Sequence, residues 1–193
     1  MRFLETRIAG SYLIDLEPIV DDRGFFARVF CLNQFAEYEL TERFVQINNS
    51  YSAEKATLRG LHYQLPPKAE NKLVRCIRGA VWDCIVDLRD DSPTLGQWFG
   101  VELSEDNRRM IYIPKGFAHG YITLTTNAEL LYMTDEFYHP DCERGVRWND
   151  PTFGIRWPLD PQVITERDCN FDDFDPSGPL SLASGTGIEE IDK

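Results

Sequence analysis

Lys72-Leu73-Val74-Arg75-Cys76-Ile77-Arg78-Gly79-Ala80-Val81-Trp82-Asp83-Cys84-Ile85-Val86-Asp87-Leu88 reads as two successive strand segments, Lys72 to Arg78 and Ala80 to Leu88. In the second, side chains alternate in the period of two that a pleated strand imposes. Trp82, Cys84, Val86 and Leu88 share one face, and Asp83 and Asp87 fall on the other. The expectation is a strand with one side in the core.

The same texture extends outward in both directions. Short strand-like segments run from Tyr12 to Ile19, Phe25 to Phe30, Phe44 to Tyr51, Thr57 to Tyr63, Trp98 to Leu103, Met110 to Ile113, Tyr121 to Leu124 and Glu129 to Met133. Asp21-Asp22-Arg23-Gly24, Pro66-Pro67, Asp91-Ser92-Pro93 and Pro114-Lys115-Gly116 place Gly, Pro or Asp where the chain must reverse. Many short strands so punctuated predict an all-β sandwich or barrel. Two short helices are expected, one from Leu32 to Glu39 and one within Pro161 to Asp168, where Thr165 offers a cap. A single domain over residues 1–176 is expected, followed at 177–193 by an acidic, Gly- and Ser-rich tail with little to bury. A β domain must also manage its sheet edges, and a jelly roll whose sheets extend across a dimer is one way to do so.

Composition narrows the function. At 193 residues and a formal net charge of -12, the chain does not offer the broad basic face that nucleic acid requires. Its basic residues nevertheless concentrate in the first half, where Arg23, Arg28, Arg59 and Lys72 fall, so a small anionic ligand fits. No apolar run approaches the roughly 20 residues that span a bilayer. The first residues carry charges that break the apolar segment of a secretory signal, and a cytoplasmic location is expected. The five cysteines have no CxxC spacing and read as reduced core thiols, not as zinc ligands.

Three histidines limit the choice of a base working near neutral pH. His139, between Tyr138 and Pro140, reads as a turn residue at the surface. His62, in Thr57-Leu58-Arg59-Gly60-Leu61-His62-Tyr63-Gln64, lies on a strand whose parity places Leu58 on its face, and His119 follows Pro114-Lys115-Gly116-Phe117-Ala118. Two imidazoles and a carboxylate such as Glu70 can hold a metal. A His-x-His pair, a common way for a strand to offer two metal ligands, is missing from His62-Tyr63-Gln64, which argues for a metal-free site without a cofactor. A buried carboxylate would then orient His62 as a general base. Asp168 is a candidate that only the fold could bring near. Tyr132 reads equally as an inward strand aromatic with a satisfied hydroxyl.

Taken together, Asp22-Arg23-Gly24-Phe25-Phe26, Gln46-Ile47-Asn48, Thr57 to Pro67, Lys72 to Cys76, Val86-Asp87-Leu88-Arg89, Ile113 to Gly120, Trp148-Asn149-Asp150-Pro151 and Ile155-Arg156-Trp157-Pro158 resemble the dTDP-4-dehydrorhamnose 3,5-epimerase family in order and spacing. The resemblance covers about residues 10–170. It implies a homodimeric cupin jelly roll that epimerises a nucleotide-linked 4-keto-6-deoxyhexose without metal. By the resemblance, His62 is the proton acceptor, Asp168 its partner, Tyr132 the proton donor and Lys72 the cation near the sugar's 4-oxygen. It further implies substrate contacts from Arg23, Phe26, Arg59, His119, Glu143 and Arg167, a nucleotide-side segment at Gln46, Ile47 and Asn48, and a pyrimidine stacked on Tyr138. Stacking of that kind is worth about 1–3 kcal/mol.

Two positions depart from the family pattern. Arg167 stands where lysine is common. Arg28 stands where a glutamate is common, which replaces an acceptor by a donor and bears on which sugar is bound and on whether one or two carbons are inverted.

Overall fold

Alternation of inward and outward side chains runs through most of the strands and closes them into two facing sheets. The computed structural model describes residues 1–41 and 43–175. Among these, the strands are β1 (Arg2–Glu5), β2 (Tyr12–Asp15), β3 (Ile19–Asp21), β4 (Gly24–Phe26), β5 (Gln46–Ser52), β6 (Leu58–Gln64), β7 (Lys72–Arg78), β8 (Ala80–Asp87), β9 (Trp98–Ser104), β10 (Met110–Ile113), β11 (Phe117–Thr123), β12 (Ala128–Thr134) and β13 (Glu143–Gly145). Helices α1 (Leu32–Ala36) and α2 (Glu166–Cys169) are short, and Pro140–Cys142 makes a single 3-10 turn. The predicted tail at 177–193 lies outside the described residues.

One sheet has six strands in the order β1-β2-β10-β7-β12-β5, and the other has five in the order β13-β6-β11-β8-β9. Val74, Cys76, Val81, Ile85, Ile111, Ile113, Tyr121 and Leu130 fill the space between them. The sheets are also covered outside. Phe35 of α1 packs with Phe3, Ile14, Leu73, Met110 and Tyr112 on the outer face of the six-stranded sheet. Val146, Phe153 and their neighbours cover the five-stranded sheet, where Leu61, Val86, Leu88 and Ala118 meet them. Strands β3 and β4 form a separate hairpin that joins neither sheet.

The structure corrects two expectations of facing. In β8 the Asp83/Asp87 side is not solvent: both carboxylates are fully buried, and Val81 and Ile85 of the same parity lie in the core between the sheets. Both faces of β8 are covered because the chain after β13 packs over the outer one. In β6 the expected pairing of Leu58 with His62 fails. His119 opposes His62 but Tyr121 opposes Arg59, so β6 carries one extra residue, a bulge that reverses parity. Leu58 therefore packs outside with Ile122, and Arg59 joins His62 on the inner side. Gly60 sits at the bulge with φ +109°, and a Cβ there would lie 2.6 Å from the His119 carbonyl oxygen. Strand β1 carries no period-two pattern in Arg2-Phe3-Leu4-Glu5 and was not expected; pairing with β2 alone makes it a strand.

Candidate active site

The bulge at Gly60 decides which side chains enter the cavity between the sheets. From the five-stranded sheet come Arg59 and His62 of β6 and His119 and Tyr121 of β11; from the six-stranded sheet come Ser50 of β5, Lys72 of β7, and Leu130 and Tyr132 of β12. With Thr165, Arg167 and Asp168 they line a hollow of about 370 Å³. A second hollow of about 470 Å³ adjoins it through His62, Lys72 and Tyr132, and is lined by Gln46, Asn48, Gln64, Glu70, Tyr138 and Glu143.

His62 and Asp168, 106 residues apart in the chain, meet at 2.7 Å between Nε2 and Oδ1. The second carboxylate oxygen accepts the backbone N–H of Gly60 at 3.1 Å. Thr165 caps α2, its hydroxyl accepting the Asp168 N–H, so the helix start presents the carboxylate to β6. Burial alone raises the Asp168 pKa, but hydrogen bonding and charge from His62, the Gly60 N–H and Arg167 outweigh it and hold the carboxyl below its ordinary value. It is ionised at neutral pH and orients the ring.

A second imidazole–carboxylate pair stands next to the first. His119, the cross-strand neighbour of His62, meets Asp83 at 2.9 Å through Nε2. The alternation places Asp83 only on the face opposite Trp82, Cys84, Val86 and Leu88. The signal that could have found it is an acid placed on the Val81/Ile85 face of a strand whose other face is also apolar.

Lys72 is 9% exposed, and its ammonium lies 3.2 Å from Glu70 and 3.5 Å from the His62 carbonyl oxygen. Glu70 also accepts from Gln64, whose own carbonyl takes the His139 N–H. This polar floor is fully paired. Tyr132 lies on β12, next to the Lys72 strand in the same sheet and across the cavity from His62, and burial, with further contributions from Tyr121 and Glu70, pushes its phenol above the ordinary value of 10.0. The phenol is therefore a proton donor across neutral pH. At the mouth, Arg167 pairs with Glu143 at 2.7 Å and the Tyr138 hydroxyl donates to the same carboxylate at 2.6 Å.

Not every expected residue arrives here. Ile47 points to the outer face of β5 and is 62% exposed, opposite in parity to Gln46 and Asn48. Arg23, Phe26 and Arg28 are exposed on and beside the β3–β4 hairpin and line neither hollow of their own chain. Asp83 and Tyr121 were not anticipated, and Glu70, considered only as a metal ligand, instead pairs with Lys72. Ser50 and Tyr121 share a hydrogen bond of 2.9 Å that only the packing of the two sheets creates.

The sequence profile of dTDP-4-dehydrorhamnose 3,5-epimerase matches residues 5–175. The chain belongs to that epimerase family. It is 45% identical over 173 residues to a dTDP-4-dehydrorhamnose 3,5-epimerase of Methanothermobacter thermautotrophicus, covering 88% of this chain and 92% of the relative. A Bacillus anthracis dTDP-4-dehydrorhamnose 3,5-epimerase solved with TDP and PPi bound superposes with a TM-score of 0.86 at 42% identity, covering 90% and 99% of the two chains. A Legionella pneumophila dTDP-6-deoxy-D-glucose-3,5-epimerase in complex with dTDP-4-keto-L-rhamnose gives a TM-score of 0.82 at 41% identity, covering 88% and 90%. The expected all-β, cupin-type jelly roll is the fold that this epimerase shares with them.

Proposed function

We propose that this epimerase inverts C3 and C5 of a dTDP-linked 4-keto-6-deoxyhexose in deoxysugar biosynthesis, with His62 as base and Tyr132 as acid. The observation that carries the reading is that His62 and Tyr132 enter one cavity from opposite sheets. Imidazole takes the proton from carbon beside the ketone, and the electron pair moves onto the 4-oxygen as an enolate. The Lys72 ammonium stabilises that charge as it develops. The enolate collapses with a proton from the phenol on the opposite face, and solvent then restores both groups. His119, held by Asp83, and Arg59 face the same space as donors to the sugar and the diphosphate. Tyr138 and the Gln46–Asn48 side of the second hollow suit the pyrimidine.

The working unit is proposed to be a homodimer. Ile19, Val20 and Phe26 of the hairpin are 66–74% exposed, an apolar patch of the kind that marks an interface. In a dimer the hairpin would carry Arg23, Phe26 and Arg28 to the partner's cavity, where the sequence pattern expects them. The proposed location is the cytoplasm; among the described residues no helix is long and apolar enough to cross a membrane.

The test is deuterium uptake from solvent at C3 and C5 of a dTDP-4-keto-6-deoxyhexose, followed by NMR. Exchange at both positions, lost in His62→Ala, supports the reading; exchange undiminished by that substitution ends it. Arg28 favours a second reading, inversion of one carbon only, and exchange confined to C3 or C5 would select it.

A further inference from the structure

Gly145 sits directly opposite His62 in the antiparallel register of β13 and β6. Cross-strand partners carry their side chains on the same face, about 4.5–5.5 Å apart at Cβ, so a glycine there leaves a gap beside the imidazole. Phe171 fills it. Its ring packs edge-on against the His62 ring with centroids 5.7 Å apart, and a Cβ on Gly145 would overlap three of its ring carbons. The Arg167 guanidinium lies over the Phe171 ring, 5.6 Å from its centre.

Asp168, Arg167 and Phe171 all belong to one short segment, α2 and the residues after it. A helix of four residues has little stability of its own. What docks it on β6 is the cap at Thr165, the Asp168 bonds to Gly60 and His62, the Arg167–Glu143 pair, and Phe171 in its slot.

From this we infer that Phe171 seated against Gly145 is a positioning device for the base. The ring limits rotation of the His62 imidazole and holds the segment in the place where Asp168 reaches Nε2. Phe171 is a positioning residue and does not touch the reacting atoms. The inference rests on the reading of His62 as the base of an epimerase, and its test therefore includes a readout that does not need turnover.

Gly145→Ala, Phe171→Leu, Phe171→Ala and the double variant Gly145→Ala/Phe171→Ala are compared with the unaltered protein. A base displaced by about 1 Å costs on the order of 10²-fold in rate, so kcat is expected to fall by that factor in Gly145→Ala with KM unchanged. The double variant is expected to be no slower than Phe171→Ala alone, because the methyl group no longer has a ring to push. Phe171→Leu, which keeps apolar volume in the slot, is expected to lose less than Phe171→Ala. The hydrogen-bonded ring N–H resonance of His62, assigned by its absence in His62→Ala, is expected to weaken or vanish in Gly145→Ala at a temperature where circular dichroism shows the fold intact. Additive losses in the double variant, or an unaltered ring resonance in Gly145→Ala, would overturn the inference. Loss of that resonance in a protein that turns over no keto-sugar would instead overturn the proposed reaction and leave the positioning device standing.

Discussion

Proton transfer assigns different consequences to the two residues on either side of the cavity. General acid–base groups contribute about 10²–10⁴-fold each, so His62→Ala and Tyr132→Phe are both expected to slow inversion by that order. Their isotope behaviour differs. Without the phenol the base still removes a proton and exchanges it with solvent, so Tyr132→Phe is expected to take up deuterium with little inversion, whereas His62→Ala takes up none. NMR of recovered substrate in D2O distinguishes them, and equal loss of exchange in both would argue against the division of roles. Because burial raises the Tyr132 pKa, the donor is protonated up to and beyond pH 10.0, and the alkaline limit of kcat from this group is expected above that value.

The elements that matter most are the bulged β6 strand and the α2 segment. A side chain at Gly60 meets both a left-handed backbone and the His119 carbonyl oxygen, so Gly60→Ala is expected to destabilise the protein by about 1–3 kcal/mol in urea unfolding and to disturb Arg59 and His62 together. Asp168 makes docking of α2 dependent on pH. Its pKa is lower folded than unfolded, so the ionised carboxylate stabilises the folded state above the ordinary value of 3.8, and that contribution is lost as pH falls below it toward the folded pKa. Hydrogen exchange of residues 166–170 is expected to accelerate on acidification below about pH 4 in the unaltered protein, by more than it does in Asp168→Asn, which has no carboxylate to titrate. Equal acceleration in the two would show that docking does not depend on this ion.

At the scale of the whole molecule, an isolated chain leaves the hairpin's apolar side chains in water. Phe25 and Phe26 are 49% and 66% exposed beside Ile19 and Val20. Sedimentation velocity is expected to show a dimer, and Phe26→Asp is expected to shift it toward monomer with reduced kcat/KM, because the hairpin is proposed to complete the partner's cavity. A monomer with full activity would remove Arg23, Phe26 and Arg28 from the site.

How much of this was legible in the sequence differs from one part to the next. The strands and turns were, because period-two alternation and Gly, Pro and Asp act over a few residues: β7 is Lys72–Arg78 as read, β8 falls one residue short of the reading, and Thr165 caps α2. The family was also legible from the ordered motifs. Facing was not. Parity holds only until a bulge intervenes, and the extra residue at Gly60 turned Leu58 outward and Arg59 inward. Nor could local pattern show that Asp83 lies inside, since a polar residue marks the solvent side of a strand only where the other face is not also covered. The sequence by itself determined most of the strand segments and the family to which the chain belongs. Tertiary structure alone decided that Asp168 reaches His62 and that Phe171 fills the place left by Gly145, because those contacts join residues more than twenty positions apart and depend on how two sheets and a terminal segment close on one another.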